Sequence, residues 1–480
     1  MMSRALAGLG SLVLLVGCGP SSGRTSDAGM VVLQCDPGTV EPCYTGLLST
    51  LGVGPCQGGS RTCDATGAWG PCEGEVRPSQ ELCTDTIDNN CNGRVDEDED
   101  ADGDGVTTCG GDCCDSTECS TPGLVNAGAF DAPGNNFDDD CNGMVDDTQL
   151  LCDQNIPSGT ANPLDYARAM DLCQTATLTE TKWGVISAEL TLADGTGTPA
   201  PIARAVRPRF GTGVLPQGGV NMVLLSTGAA AGIGDTNPAY QDFQNTPGDP
   251  FSNVGNDTQS PFPPDFATTA ADLPNAPGCP PPDPDVNVAL DPIMLTLSVR
   301  VPTNAKSFKL ATNFFSSEFP EFTCSPFNDF FVVLLDSTYQ GSPANPSDKN
   351  LAVYTNNNMS YPVGVNLASG DTGLFTQCVN GFVGCALDPF TQAMISTCTG
   401  TAQLAGTGLD TADPGRCNQA SLQGGGTGWL ETSGNVTPGE IIKLRIAIWD
   451  TSDHVLDSLA VIDGFRWSVD ASQPGTVIFR

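Results

Sequence analysis

The chain of 480 residues carries 56 acidic against 19 basic side chains, a formal net charge of −37, with 21 cysteines and a single histidine. A surface so acidic repels phosphate, which excludes nucleic acid as a partner. One histidine excludes a zinc centre built on several imidazoles, and any Ser–His–Asp triad would have to use His454. A hydrophobic fraction of 39% still suffices for globular cores, and the length suggests two or three domains.

At the N-terminus, Arg4 precedes an apolar stretch, Ala5 to Val16. This is too short for the roughly 18–20 residues that span a bilayer. It ends in Leu15-Val16-Gly17-Cys18, which resembles the lipobox of bacterial lipoproteins. That resemblance implies a signal peptide over residues 1–17, cleavage before Cys18, and acylation of the Cys18 thiol and amino group. An ordinary secretory signal is the alternative. Gly19 in place of aspartate points to the outer membrane or cell surface of a Gram-negative bacterium. Several acyl chains, at about 0.8 kcal/mol per buried methylene, would make the membrane a firm partner. Without Cys18, twenty cysteines remain, fourteen between Cys35 and Cys173 and six between Cys279 and Cys417. Even counts in both groups suit two self-contained disulfide sets formed in an oxidising compartment.

Residues 18–34 form the lipidated cysteine and a polar tether. From 35 to 153 the chain is rich in Cys, Gly and Asp with few large aliphatics, so disulfides or metal must staple it. Residues 154–180 read as a short helical connector, with the helix over Pro163 to Cys173 and Cys152 and Cys173 available to tie it to its flanks. From 181 to 480 the pattern is β. Ile293-Leu295-Leu297-Val299-Val301 and Ile442-Leu444-Ile446-Ile448 alternate as half-buried strands do. Phe330 to Leu335 is a continuous apolar run suited to a strand buried on both sides. Long Pro/Gly/Asn-rich loops over 235–285 and 400–428 separate such segments. The expected fold is mainly β: a C-terminal, jelly-roll-like β-sandwich preceded by a small disulfide-rich, calcium-loop region with little regular structure.

Residues 81–153 hold twenty acidic side chains and one basic one, Arg94. Asp88, Asn90, Asn92, Asp96 and Glu99 fall at positions 1, 3, 5, 9 and 12 of a loop with Gly93 at position 6. Calcium takes six to eight hard oxygens at about 2.4 Å, and this spacing folds them round one ion while glycine allows the sharp turn. Asp138, Asp140, Asn142 and Asp146 repeat the register, with Gln149 in place of the final glutamate. Between them Asp98, Asp100, Asp102 and Asp104 alternate, followed by Asp112 and Asp115. Several calcium ions are the expected cofactor, and the absence of flanking amphipathic helices argues against an EF-hand.

Glu81-Leu82-Cys83 through Glu97, Asp100 to Asp115, and Asn126 through Asp147 resemble the MopE-type metal-binding motif of bacterial surface proteins. That family's name carries an association with copper, which favours imidazole or thioether ligands; this segment has no histidine and only Met144. Trp183-Gly184-Val185, Phe314 to Phe322, Phe327-Asn328-Asp329 and Asp450 to Ser458 resemble a choice-of-anchor L domain over roughly 180–470. The resemblance implies a secreted β domain beside a surface-attachment device.

Glu318, Asp329, Asp450, Asp453 and Asp457 border apolar strands and form a candidate second metal site; turn chemistry is the alternative. His454 lies beside Asp453 and Asp457, yet no nucleophile elbow is present, so no catalysis is expected. The sequence thus suggests a calcium-binding, lipid-anchored surface protein presenting a sandwich to a glycan or protein ligand. A scavenger of copper or another transition metal is the first rival, and a secreted hydrolase the second.

Overall fold

The computed structural model describes residues 35–79, 81–83, 85–96, 100–115, 121–146, 151–244, 257–384, 393–413 and 421–479. The proposed signal peptide, Cys18 and the tether lie outside them, as do Asp98 and Glu99. Among the described residues no helix is long and apolar enough to cross a membrane.

The run Phe330–Asp336 shows how sequence builds this architecture. Phe331, Val333 and Leu335 enter one apolar cluster, whereas Phe330, Val332 and Leu334 enter another. A strand places successive side chains on opposite faces, so an unbroken apolar run requires a sheet covered on both sides. The sandwich uses ten strands longer than two residues: β1 (Gly184–Thr191), β2 (Arg204–Arg207), β3 (Met222–Ser226), β4 (Ala289–Arg300), β5 (Ser307–Ser316), β6 (Phe330–Asp336), β7 (Leu430–Asn435), β8 (Ile441–Asp450), β9 (Ser458–Ser468) and β10 (Gly475–Ile478). One sheet runs β10-β7-β5-β9-β3-β2 and the other β1-β4-β8-β6, with every pairing antiparallel. The expected β-sandwich is present.

The central core lies between the sheets. Ile442, Leu444, Ile446 and Ile448 of β8 meet Phe308 and Leu310 of β5 and Ile462 of β9 there. The outer face of the larger sheet, with Leu224, Phe315 and Val461, is covered by Phe210, Phe243, Leu404 and Leu409 from loops. That of the smaller sheet, with Phe330, Ala447 and Trp449, is covered by Phe262, Ala267 and Leu273. Each fully buried Phe or Leu contributes roughly 1.5–3 kcal/mol, so the long irregular inserts are structural covers. Asp265 clamps one cover in place through a bidentate contact with Arg445 at 2.7 Å and a contact with Lys349 at 2.6 Å. Arg445 is the main reason the Asp265 carboxyl sits well below the usual carboxylate range.

Helix α1 spans only Pro163–Arg168, shorter than the 163–173 expected. Asn162 caps its start, while Asp171 takes a left-handed conformation (φ 69°) and Cys173 is held by a disulfide to Cys152. These constraints end the helix, yet Tyr166, Met170 and Leu172 still enter the central core. The connector is therefore part of the sandwich.

Backbone contacts divide the chain into two compact units, residues 1–96 and 97–480. The first, described from Cys35, is built on a hairpin of Val40–Cys43 with Gly59–Thr62 and on disulfides Cys35–Cys63, Cys43–Cys72 and Cys56–Cys91. In the second, Cys113–Cys141, Cys152–Cys173, Cys279–Cys324 and Cys378–Cys398 are paired. These seven pairs respect the two groups of cysteines. Within the second unit, residues 121–132 lie on the β4–β5 turn. Asn304 bonds the Leu124 and Phe130 carbonyls at 3.2 and 2.9 Å, and Phe130 joins the central core.

Asp463, fully buried in β9, accepts the Gln217 and Gly218 amides on one oxygen at 2.5 and 3.1 Å. Burial, with the nearby Asp171 charge, pushes its carboxyl up to about 7, and burial with the Asp153 charge pushes Asp171 up to about 6. The folded chain therefore holds protons that the unfolded chain releases. The associated stability is fully present below about pH 4 and is lost as pH rises towards 7. Asp463→Asn keeps an accepting oxygen without the ionisation, so urea denaturation at constant calcium should show a weaker decline between pH 4 and 8, by about 3–4 kcal/mol.

Candidate metal centres

The tightest gathering of oxygens lies in the run from Asp100 to Asp115. Asp100, Asp102 and Asp115 form one set, and Asp102, Asp104 and Asp112 another, each with carboxylate oxygens within 4.8 Å of one another. Asp102 belongs to both. Local hydrogen bonds wind the chain round these groups: Asp100 accepts the Gly103 and Gly105 amides at 2.7 and 3.1 Å. Asp115 accepts the Ala101 amide at 2.5 Å and the Thr108 hydroxyl at 3.0 Å. Asp104 accepts the Val106 amide at 2.7 Å and the Asn126 side-chain amide at 2.6 Å. Asn126 in turn accepts from the Thr303 hydroxyl at 2.7 Å, which ties the cluster to the sandwich.

The electrostatics favour a cation. One oxygen of Asp102 is buried without a hydrogen-bond partner. Burial, then the charges of Asp104, Asp115 and Asp100, raises the Asp102 carboxyl; burial and the same kind of neighbours push Asp112 up to about 7. Five like charges this close repel one another unless an ion sits among them. An all-carboxylate set of hard oxygens suits calcium.

The two flanking loops share one backbone at an offset of fifty residues. Cys91 and Cys141 have φ 59°, Asp96 and Asp146 have φ 51° and 50°, and Gly93 and Gly143 have φ 94° and 91°. Position 1 acts alike in both: Asp88 accepts the Asn92 and Gly93 amides at 3.0 and 2.9 Å, Asp138 the Asn142 and Gly143 amides at 3.0 and 2.8 Å. At position 3, Asn90 and Asp140 accept the amides of Asn92 and Asn142, while at position 5 Asn92 and Asn142 accept those of Arg94 and Met144. Asp96 accepts the Thr86 amide at 3.2 Å and Asp146 those of Gly134 and Asn135 at 2.7 and 3.0 Å. No helix flanks either loop among the described residues. Glu81, the first residue of the motif resemblance but outside the numbered loop positions, also serves the first loop: its carboxylate accepts the Asn90 and Asp96 amides at 3.1 and 3.2 Å.

The C-terminal residues divide. Glu318, Asp329, Asp450 and Asp457 are each 1% exposed, while Asp453 is half-buried. Burial holds the Glu318, Asp329 and Asp450 carboxyls well above the usual carboxylate range, and mutual repulsion adds to it for Glu318 and Asp450. His454 Nδ1 lies 2.7 Å from Asp291 Oδ2, so Asp291, distant in the chain, is a carboxylate partner of the ring. That contact raises the His454 imidazole. Asp291 went unnoticed in the sequence because it opens an apolar strand; the Asp291-Pro292 pair was the signal available.

Residues 287–465 match the family model described as "Choice-of-anchor L domain", and residues 75–97 and 123–147 match the one described as "Putative metal-binding motif". No curated protein and no solved structure matches the chain. The chain thus combines a metal-binding motif with a choice-of-anchor L domain, an architecture of cell-surface or extracellular proteins.

Because Asp102 is common to both carboxylate sets, Asp102→Asn should weaken calcium binding more than Asp115→Asn, which touches one set. Titration calorimetry should show at least a tenfold difference in the affinity of the affected sites; equal effects would contradict the shared arrangement.

Proposed function

We propose that the protein is a calcium-stabilised lipoprotein of the cell surface, held by an acylated Cys18, whose β-sandwich contacts a glycan or protein ligand without catalysis. The observation that carries the metal part is the pair of all-carboxylate sets meeting at Asp102. In the segments matching the metal-binding motif and the stretch between them, Cys83, Cys91, Cys109, Cys113, Cys114 and Cys141 are disulfide-bonded, so none offers a thiolate. Among the described residues the ligands left are carboxylate, amide and carbonyl oxygens and the single thioether of Met144, a set that suits calcium over copper. Bound ions would neutralise the acidic segment between anchor and sandwich and stiffen it.

For the ligand-contact part, support comes from the outer side of the smaller sheet. There an open groove of about 670 Å³ is bordered by Glu189, Asp194, Asp265, Lys443 and Arg445. Its mixed charge and shallow form suit a polar ligand more than a buried apolar one.

A scavenging role makes the opposite demand on metal preference, and the family name that carries copper is its support. Metal analysis of the chain after dialysis against micromolar copper with millimolar calcium decides between them. Calcium in excess of copper is expected; stoichiometric copper would replace this reading with scavenging. A glycan array probed with the full chain tests the contact role, with binding abolished by Lys443→Glu as the expected result and glycan-independent signal as the contrary one.

A further inference from the structure

The chain contains six Asp–Pro bonds, after Asp36, Asp249, Asp283, Asp291, Asp388 and Asp413. Four of these aspartates, Asp36, Asp283, Asp291 and Asp413, lie among the described residues, and of them only Asp291 takes a left-handed backbone, φ 49°. The conformation is strained for a residue with a Cβ, and the proline that follows pushes its predecessor towards extended backbone instead. The fold imposes it at one rim of the sandwich, where β8 ends. Ile448 pairs with Ile293 and Asp450 with Leu290, so Asp291 and Pro292 together oppose Trp449. This is a β-bulge, which tolerates proline and re-aims side chains. Glycine would meet the conformation without strain; aspartate brings a carboxylate to it.

That carboxylate is held on both oxygens. Oδ1 accepts the Thr258 amide at 3.0 Å, and Oδ2 lies 2.7 Å from His454 Nδ1. The Asp291 amide donates in turn to the Thr258 carbonyl at 2.7 Å. Asp291 is 1% exposed, whereas Asp36 and Asp283 are exposed. Only three covalent bonds separate the carboxyl carbon of an aspartate from its own carbonyl carbon. Attack of one on the other closes a five-membered ring and needs orientation alone, which the two contacts restrict. The His454 side chain is 35% exposed, so water reaches that side of the carboxylate.

We infer that the Asp291–Pro292 bond is a self-cleavage site, broken once per molecule by the Asp291 carboxylate. A carboxylate oxygen of Asp291 adds to the Asp291 carbonyl carbon. The C–N bond breaks, and its electron pair stays on the proline nitrogen, which takes a proton from solvent and leaves as a secondary amine. Water then opens the cyclic anhydride of Asp291 to two carboxyl groups. The sum is one peptide bond and one water consumed, with nothing oxidised or reduced. Strain drives the step, because the cut frees Asp291 from its left-handed conformation. His454 is a positioning residue. The two pieces stay together: β1 still pairs with β4 from Met294 onward, β3 with β9, and the Cys279–Cys324 disulfide spans the cut. The reaction acts on no other molecule and stands apart from the proposed metal and ligand roles.

The test is mass spectrometry of the purified full chain after incubation at neutral pH. Before reduction the chain should gain the mass of one water. After reduction it should separate into a piece ending at Asp291 and a piece beginning at Pro292. The folded chain should cut there at least tenfold faster than the same chain unfolded in guanidinium chloride, and faster than at Asp36 or Asp283. Asp291→Ala and Pro292→Ala should stay whole. His454→Ala should slow the cut at least fivefold, and His454→Asn, which keeps a donor for the carboxylate, should restore most of the rate; equal loss in both would overturn the part given to His454. A chain that stays whole overturns the inference, as does cutting spread evenly over the Asp–Pro bonds or equally fast in the unfolded chain. Those comparisons need no variant, so they decide the matter even where a substitution prevents folding.

Discussion

Carboxylates placed beyond the reach of water, without cationic side chains to answer them, are the constraint on which this structure turns. Only 19 basic residues serve 56 acidic ones, and Arg445 and Lys349 are already engaged by Asp265 and Asp336. Surface carboxylates can rely on solvent and salt for screening. Asp102, Asp329 and Asp450 cannot do so to the same degree, and protons or bound cations would supply the missing charge. A hard divalent ion does this while also crosslinking the chain. That suits a segment with few large apolar residues.

The rest of the fold answers a different demand, the covering of two sheets on both faces. Antiparallel sandwiches commonly leave their outer faces to solvent. Here each outer face carries an apolar cluster, and the inserts bearing Phe210, Phe243, Phe262, Leu273 and Leu404 lie over these clusters. The cost of ordering so much irregular chain is offset by buried aromatic surface and by clamps such as Arg445–Asp265. The same principle explains why residues 121–132 pack on the β4–β5 turn: Phe130 enters the core while Asn126 links Thr303 to Asp104. Metal-binding segment and sandwich are mechanically connected by hydrogen bonds from Thr303 and Asn304 and by the Phe130 ring, within one compact unit.

Much of this was legible in the sequence because period-two alternation and the spacing of oxygens are local properties. Ile442 to Ile448 announced a strand, Phe330 to Leu335 a doubly covered one, and Asp88 to Asp96 and Asp138 to Asp146 a repeated loop. What escaped was non-local. Asp291 sits in an apolar strand, and only the register of β4 with β8 brings it to the rim. Asp463 and Asp171 lie far apart in the chain, so their mutual repulsion had no sequence signature. Glu81 precedes its loop by seven residues and serves it through backbone amides. The helix over 163–173 was overdrawn because apolar spacing persists to Leu172, while the left-handed turn at Asp171 is set by tertiary packing.

The most direct test of the account is scanning calorimetry of the chain with calcium and then with excess chelator. At a free concentration near a hundred times the dissociation constant, each site adds about 2.7 kcal/mol to stability. Removal of calcium should therefore lower the melting temperature by several degrees, reversibly on adding calcium back but not copper. A melting curve indifferent to chelator would contradict the central claim that metal ions answer the buried carboxylates.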